Sequence, residues 1–243
     1  MFTLIKREIS SFFSSIIGYI VIIVFLVTNF LFIWAIPGEF NVLSNGYSDV
    51  STLFFIAPWL FLFLVPAVTM RLFAEEKRLG TIELLLTRPL SDLQIVFAKY
   101  IAGLALVLFS LLPTITYYVS VYLLGDPVGN IDSGGFWGSY IGLFFLAGIY
   151  VSIGVFASSL TKNQVVSFIF SIVLCFVFYV GFDTISKMGM FSSIENVIVG
   201  LGITDHYQSM SRGVLDSRDV LYFLGVITIF IFGTKLVLES RKW

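Results

Sequence analysis

The sequence predicts an all-α integral membrane protein with six transmembrane helices, and three observations carry that expectation. Of 243 residues, 58% are hydrophobic and only 12% are charged. A soluble domain carries roughly 25% charged residues, so this chain has too little polar surface to cover a water-soluble globule of its size. Six segments, about 16–36, 53–73, 98–124, 137–160, 164–184 and 219–238, are continuously apolar, and each approaches the ~20 residues that a helix needs to cross the hydrocarbon core. Continuous rather than alternating hydrophobicity excludes a β-barrel. The third observation is the sidedness of the basic residues.

Lysine and arginine collect on alternate connections. Lys6, Arg7, Arg71, Lys77, Arg78, Arg88, Lys99, Lys162, Lys235, Arg241 and Lys242 fall on one side, against Lys187, Arg212 and Arg218 on the other. The second side instead carries nine acids: Glu39, Asp49, Asp126, Asp132, Asp183, Glu195, Asp205, Asp216 and Asp219. Basic residues are retained in the cytoplasm, which places both termini there. A net charge of −1 gives no reason to expect a nucleic-acid partner.

Residues 2–15 precede the first span. Phe2, Ile5, Ile9, Phe12 and Ile16 recur at helical spacing among basic and hydroxyl residues, which predicts a helix lying in the membrane interface. The 16–36 run exceeds the ~7–15 residues of a signal-peptide core and lacks an A-x-A-like cleavage site, so it reads as a retained helix.

Span two holds Pro58 and Pro66, and span three holds Pro113 with Thr114 and Thr116 close by. Membrane prolines are tolerated where hydroxyls or neighbouring helices take up the freed carbonyls. In span four, Gly142, Ala147, Gly148, Ser152 and Gly154 predict close helix packing.

The connection at 74–92 is the most informative segment. Span two is expected to continue as a charged helix through Arg78 and to end at Gly80 in a left-handed cap. Thr81 is placed to cap a short helix with Glu83 in its first turn, and Pro89 bars its continuation. Ser91 and Gln94 then form an S-x-x-Q capping box for the third long helix. The product is a helical elbow with Leu84, Leu85 and Leu86 as an apolar ridge. Either that ridge docks another protein or it rests on lipid headgroups.

Between spans five and six, residues 187–217 are mostly apolar but interrupted, and they read as an outer re-entrant or surface-lying helical hairpin. Whether it gates a pathway is left open by the residues.

Chemistry-bearing residues are few. His206 is the one histidine, which rules out two-histidine metal sites and reads as an ordinary surface residue. Cys175 is the one cysteine, so no intramolecular disulfide or cysteine cluster can form. Asp183 has no second intramembrane acid beside it. There is no Gly-x-x-x-x-Gly-Lys-[Ser/Thr] loop for ATP, no catalytic set and no expected cofactor or metal. Ion-coupled carriers place ionisable groups within the membrane, and the spans offer only mild polar ones, among them Asn29, Ser110, Thr114, Tyr117 and Tyr118, as pathway or packing candidates. A carrier or channel, or a scaffold subunit that moves nothing, stays as the alternative to a transporter energised from outside through the elbow.

The run Glu75-Glu76-Lys77-Arg78-Leu79-Gly80-Thr81-Ile82-Glu83-Leu84-Leu85-Leu86-Thr87-Arg88-Pro89-Leu90-Ser91, followed by Ile95 to Tyr100 with Lys99, resembles the signature of ABC-2 type permeases. Tyr207 to Asp216 and Val220 to Phe223 are similar to the gliding-motility-associated permease subunits of Bacteroidetes. The resemblance implies a non-catalytic permease in the bacterial inner membrane, working with a cytoplasmic ABC ATPase and a second, identical or different, permease subunit. It implies that the elbow is a coupling helix, with Glu75, Glu76, Lys77, Arg78 and Glu83 making polar contacts, Leu84 to Leu86 anchoring it and Gly80 permitting the turn. Neither the substrate nor its direction follows.

Overall fold

Small polar residues write the starts of the helices. Ser15, Asn41, Asp132, Asn163 and Asp216 each accept a hydrogen bond from the first turn that follows them, satisfying amide groups that have no partner within the helix. Ser91 and Gln94 form the reciprocal capping box.

The computed structural model describes residues 1–83, 90–187 and 195–240, except the side chain of Asn196. The regular structure of those residues is helical throughout. In chain order it comprises α1 (Phe2–Phe13), α2 (Ile16–Phe30) ending in a π turn (Leu31–Ala35), the short α3 (Val42–Asn45), α4 (Ser51–Thr69) and α5 (Arg71–Leu79). Then come α6 (Asp92–Leu111), a 3-10 turn (Leu112–Thr114), α7 (Ile115–Leu124), α8 (Ser133–Leu160) and α9 (Gln164–Phe176) with its π turn (Val177–Gly181). The chain finishes with α10 (Phe182–Lys187), α11 (Glu195–Val199), α12 (Ile203–Ser211) and α13 (Ser217–Glu239). Six helical stretches are long and apolar enough to cross a membrane: Ile16–Ala35, Ser51–Leu79, Asp92–Leu124, Ser133–Leu160, Gln164–Lys187 and Ser217–Glu239. The expectation of an all-α membrane protein holds.

Helix α8 is the axis of the bundle. It is buried along most of its length, whereas the stretches from Ile16, Gln164 and Ser217 turn most of their surface outward. Helices α4, α6, α9, α12 and α13 all pack on it. Its small residues make this approach possible: a methyl group added at Gly154 would lie 2.0 Å from Thr69 Oγ1 of α4. One turn on, Ser158 repairs the break between α4 and α5. Its hydroxyl donates to the Met70 carbonyl at 2.8 Å and accepts from the Phe73 and Ala74 amides at 2.9 and 3.0 Å. A side chain inserted into the hydrogen-bond ladder is an identifiable cause of a helix kink.

Side-chain hydroxyls bond the backbone at or beside two of the proline positions. Pro58 frees the carbonyl four residues back, that of Phe54, and the Tyr207 hydroxyl of α12 donates to it at 2.8 Å. Burial, and secondarily Tyr179, raises the Tyr207 pKa well above its ordinary value, so the phenol keeps the proton it donates. At Pro113 the helix tightens into the 3-10 turn, and the Leu111 carbonyl accepts from Thr114 Oγ1 and the Tyr140 hydroxyl, both at 2.7 Å. Tyr207→Phe leaves a buried carbonyl without a donor, which costs about 1–3 kcal/mol. Thermal unfolding of the purified variant in detergent is expected to begin several degrees lower with unchanged helical content; an unaltered transition would refute this role.

Two expectations need correction. The apolar stripe of α1 was expected to be Phe2, Ile5, Ile9 and Phe12, but the buried residues are Leu4, Glu8 and Phe12, and Phe2 is exposed. The helix is rotated because Glu8 meets a buried lysine of α6. The second concerns His206, which is no ordinary surface residue. Its Nδ1 lies 2.7 Å from Asp219 Oδ1, its Nε2 lies 3.0 Å from the Gly200 carbonyl, and its ring stacks on Tyr222 at 3.9 Å. It ties the turn after α11 to the start of α13. Within the expected outer hairpin, α12 is firmly packed, with Ile203, Tyr207 and Met210 buried; residues 188–194 lie outside the described residues.

Candidate functional site

The charged end of the second span is held by charges from two other helices. Helix α5 continues span two through Leu79 and stops at Gly80, whose φ of +71° is the left-handed conformation that a glycine adopts without penalty. Leu72, Phe73, Ala74 and Lys77 form its buried face, while Arg78 and Leu79 are exposed.

Lys99 of α6 is the centre of the arrangement and is 1% exposed. Its Nζ lies 2.9 Å from Glu76 Oε2 of α5 and 3.4 Å from Glu8 Oε1 of α1, donates to the Leu72 carbonyl at 2.7 Å, and sits 5.0 Å above the Phe73 ring. Arg7 of α1 closes the group, pairing with Glu8 and reaching Glu76 Oε1 at 3.0 Å. Burial pulls the Arg7 pKa down, but its bonds to Glu8 and the charges of Glu8 and Glu76 outweigh that and raise it. Two cations and two anions thus neutralise each other where three helices meet. Such a group tolerates desolvation only because each charge has a partner. Arg71 adds a further tie between α5 and the first turns of the chain, donating to Ser15 Oγ at 2.6 Å and lying 5.0 Å over the Phe12 ring.

The residues expected to form the elbow divide accordingly. Glu76 turns inward to Lys99 and Arg7, and Lys77 is buried, donating to the Ser159 carbonyl at the end of α8. Their polar groups bond within the permease itself. Glu75 is half-buried, and Arg78, Gly80, Thr81 and Glu83 are exposed. Thr81 bonds back to the Glu76 carbonyl through its amide at 3.0 Å. Leu84, Leu85 and Leu86 lie outside the described residues.

The mild polar residues within the spans do not gather into one site. Asn29 donates to the Phe25 carbonyl at 2.8 Å, Ser110 to Val107 at 2.7 Å, Thr114 to Leu111, and Tyr117 to the Leu26 carbonyl at 3.3 Å. Tyr118 pairs with Ser133 at 2.8 Å. All but the last two contacts stay within one helix.

Sequence reasoning missed Glu8 and reduced Lys99 to a flanking charge. One signal was available: Glu8 is the sole acid of α1 and stands four residues from both Leu4 and Phe12, in register with the buried face. Among known proteins, the family model described as ABC-2 family transporter protein matches residues 47–241, more than half of the chain. No curated protein matches it.

Proposed function

The chain belongs to the ABC-2 family of transporter proteins, and from that premise we propose that residues 74–92 couple this permease to ATP hydrolysis by a separate cytoplasmic ABC ATPase. The observation that carries the proposal is the lever itself: α5 extends span two, ends at Gly80, and is clamped to α1 and α6 through Glu76 and Lys99. A push on its exposed end is transmitted to α1 and α6, and through Lys77 to α8, rather than absorbed by a loose loop. Glu75, Arg78, Thr81 and Glu83 are the polar groups that face the ATPase, and Leu84 to Leu86 are its apolar anchor. Glu76 and Lys77 act from behind, fixing the angle of the lever.

In this reading two permease subunits pair in the bacterial inner membrane with both termini cytoplasmic, and closure of the ATPases moves the two levers. The similarity at Tyr207 to Asp216 and Val220 to Phe223 supports a place among the gliding-motility-associated permeases, in export or surface assembly. A neighbouring gene that encodes a P-loop ATPase is the expected genomic setting.

The test uses the co-purified complex. Gly80→Pro and Leu85→Asp are each expected to leave membrane insertion intact and to abolish the permease-dependent part of the ATPase rate; full rates in both variants would overturn the proposal. Cys175 is buried, so a single cysteine introduced at Thr81 reports topology by itself. It is expected to react with an impermeant thiol reagent only from the cytoplasmic side.

A further inference from the structure

At the opposite, acidic end of the bundle, four elements surround a cavity of about 560 Å³, within the range of small-molecule sites. Ser51, Phe55 and Trp59 follow one another at steps of four along α4 and line one wall. The start of α8 contributes Asp132 and Phe136, the end of the fifth span contributes Tyr179 and Asp183, and α12 contributes Tyr207 and Gln208. The cavity therefore runs from the loop ends down two helical turns to Trp59.

Its chemistry is one-sided. Asp49, Asp132 and Asp183 line it, and the described lining residues include no lysine, arginine or histidine. Asp183 is paired with Lys187 at 2.7 Å. The other two accept only from neutral donors: Asp49 from the Ser51 amide at 2.9 Å and the Ser51 hydroxyl, and Asp132 from the Gly135 amide at 2.9 Å. Two carboxylate charges thus remain uncompensated beside aromatic faces, and a ring face attracts a cation as a carboxylate does. Tyr179 in turn packs on Tyr150, which does not line the cavity: the rings meet edge to face at 6.3 Å, and the Tyr150 hydroxyl is buried without a hydrogen-bond partner among the described residues. Phe55 and Trp59 are exposed on the outward wall, giving an apolar body room beside them.

We propose that this cavity binds a ligand carrying an ammonium-type cation on an apolar body, with Asp49 and Asp132 facing the charge at the loop end and Phe55, Trp59 and Tyr179 lining the space for the body below it. The site is independent of the coupling lever and is tested without an ATPase, so failure here leaves the coupling proposal standing. Two sources share this chemistry: a soluble organic ammonium ion and the headgroup of phosphatidylethanolamine.

The full chain, purified in dodecyl maltoside, is titrated calorimetrically with phenyltrimethylammonium and separately with benzenesulfonate. Saturable binding of the cation and none of the sulfonate is expected. Asp49→Asn combined with Asp132→Asn keeps an amide oxygen to accept from the Ser51 and Gly135 amides, and is expected to weaken cation binding about tenfold or more. Trp59→Leu, far from both aspartates, is expected to weaken it several-fold. Phosphatidylethanolamine added to the micelles, with phosphatidylglycerol as control, separates the sources: competition assigns the site to lipid, and its absence to a soluble cation, with the site upheld in both cases. No saturable binding, equal binding of the sulfonate, or unchanged affinity in both variants would overturn the proposal.

Discussion

Lys99→Met is expected to destabilise the chain more than any other single side-chain change outside the helix contacts. Lys99 is nearly inaccessible and holds Glu8, Glu76 and the Leu72 carbonyl together. Methionine is unbranched and fills most of its space, so the effect reports chiefly the loss of the ammonium group and its bonds. Its removal leaves two carboxylates facing only Arg7, which is half-exposed. Breaking a buried pair by deleting one partner costs about 3–5 kcal/mol, because the remaining charge stays desolvated. The measurable result is a large drop in the thermal midpoint of the purified chain, or its loss from the membrane fraction. Adding Glu76→Gln to Lys99→Met removes the surplus negative charge and is expected to restore part of the loss, so the double-mutant cycle should show strong coupling. Arg7→Gln, at the solvated edge, is expected to cost much less. A Lys99→Met midpoint equal to that of the wild type would refute the clamp.

The second large effect is expected at Gly154. Valine there places a Cβ 2.0 Å from Thr69 Oγ1 and 2.7 Å from Thr69 Cβ, and the second distance is one that no side-chain rotation relieves. Helices α4 and α8 must separate where Ser158 holds the break between α4 and α5. Overpacking alone costs about 1–3 kcal/mol, and each Ser158 bond lost adds roughly 1 kcal/mol. Gly154→Val is therefore expected to lower the thermal midpoint strongly and, in the complex, to reduce permease-dependent ATP hydrolysis, since α5 takes its direction from this contact. Gly154→Ala in a Thr69→Ala background, which removes the hydroxyl but not the Cβ contact, should recover only part of the loss. Full stability of Gly154→Val would mean that the two helices do not approach as closely as described.

The two variants act at different levels. Lys99→Met removes an electrostatic tie between elements far apart in the chain, whereas Gly154→Val changes how near two elements can come. Both converge on α5, so the lever is positioned from two directions: by charge from α1 and α6, and by backbone contact with α8.

The local features were legible in advance. The Ser91–Gln94 box, the left-handed stop at Gly80 and the helix starts depend on neighbours three or four residues away, and that proximity is present in the sequence itself. Rotational setting was less accessible. The α1 pattern admitted a stripe through Phe2, Ile5 and Ile9, and the charged run after Arg71 did not say which of Glu75, Glu76 and Lys77 would turn inward. His206 looked solitary because Asp219 and Tyr222 follow it by 13 and 16 positions, across the junction of two helices.

Composition and hydrophobic length by themselves determined that this chain is a bundle of six membrane helices, because lipid leaves a backbone no alternative to internal hydrogen bonding. Tertiary structure alone decided that Glu8 and Glu76 share one lysine, that Tyr207 serves a carbonyl freed by Pro58, and that three aspartates from separate parts of the chain line one cavity. Each of these joins residues distant along the chain, and such meetings are set by how helix faces rotate and pack, information that no local window of residues contains.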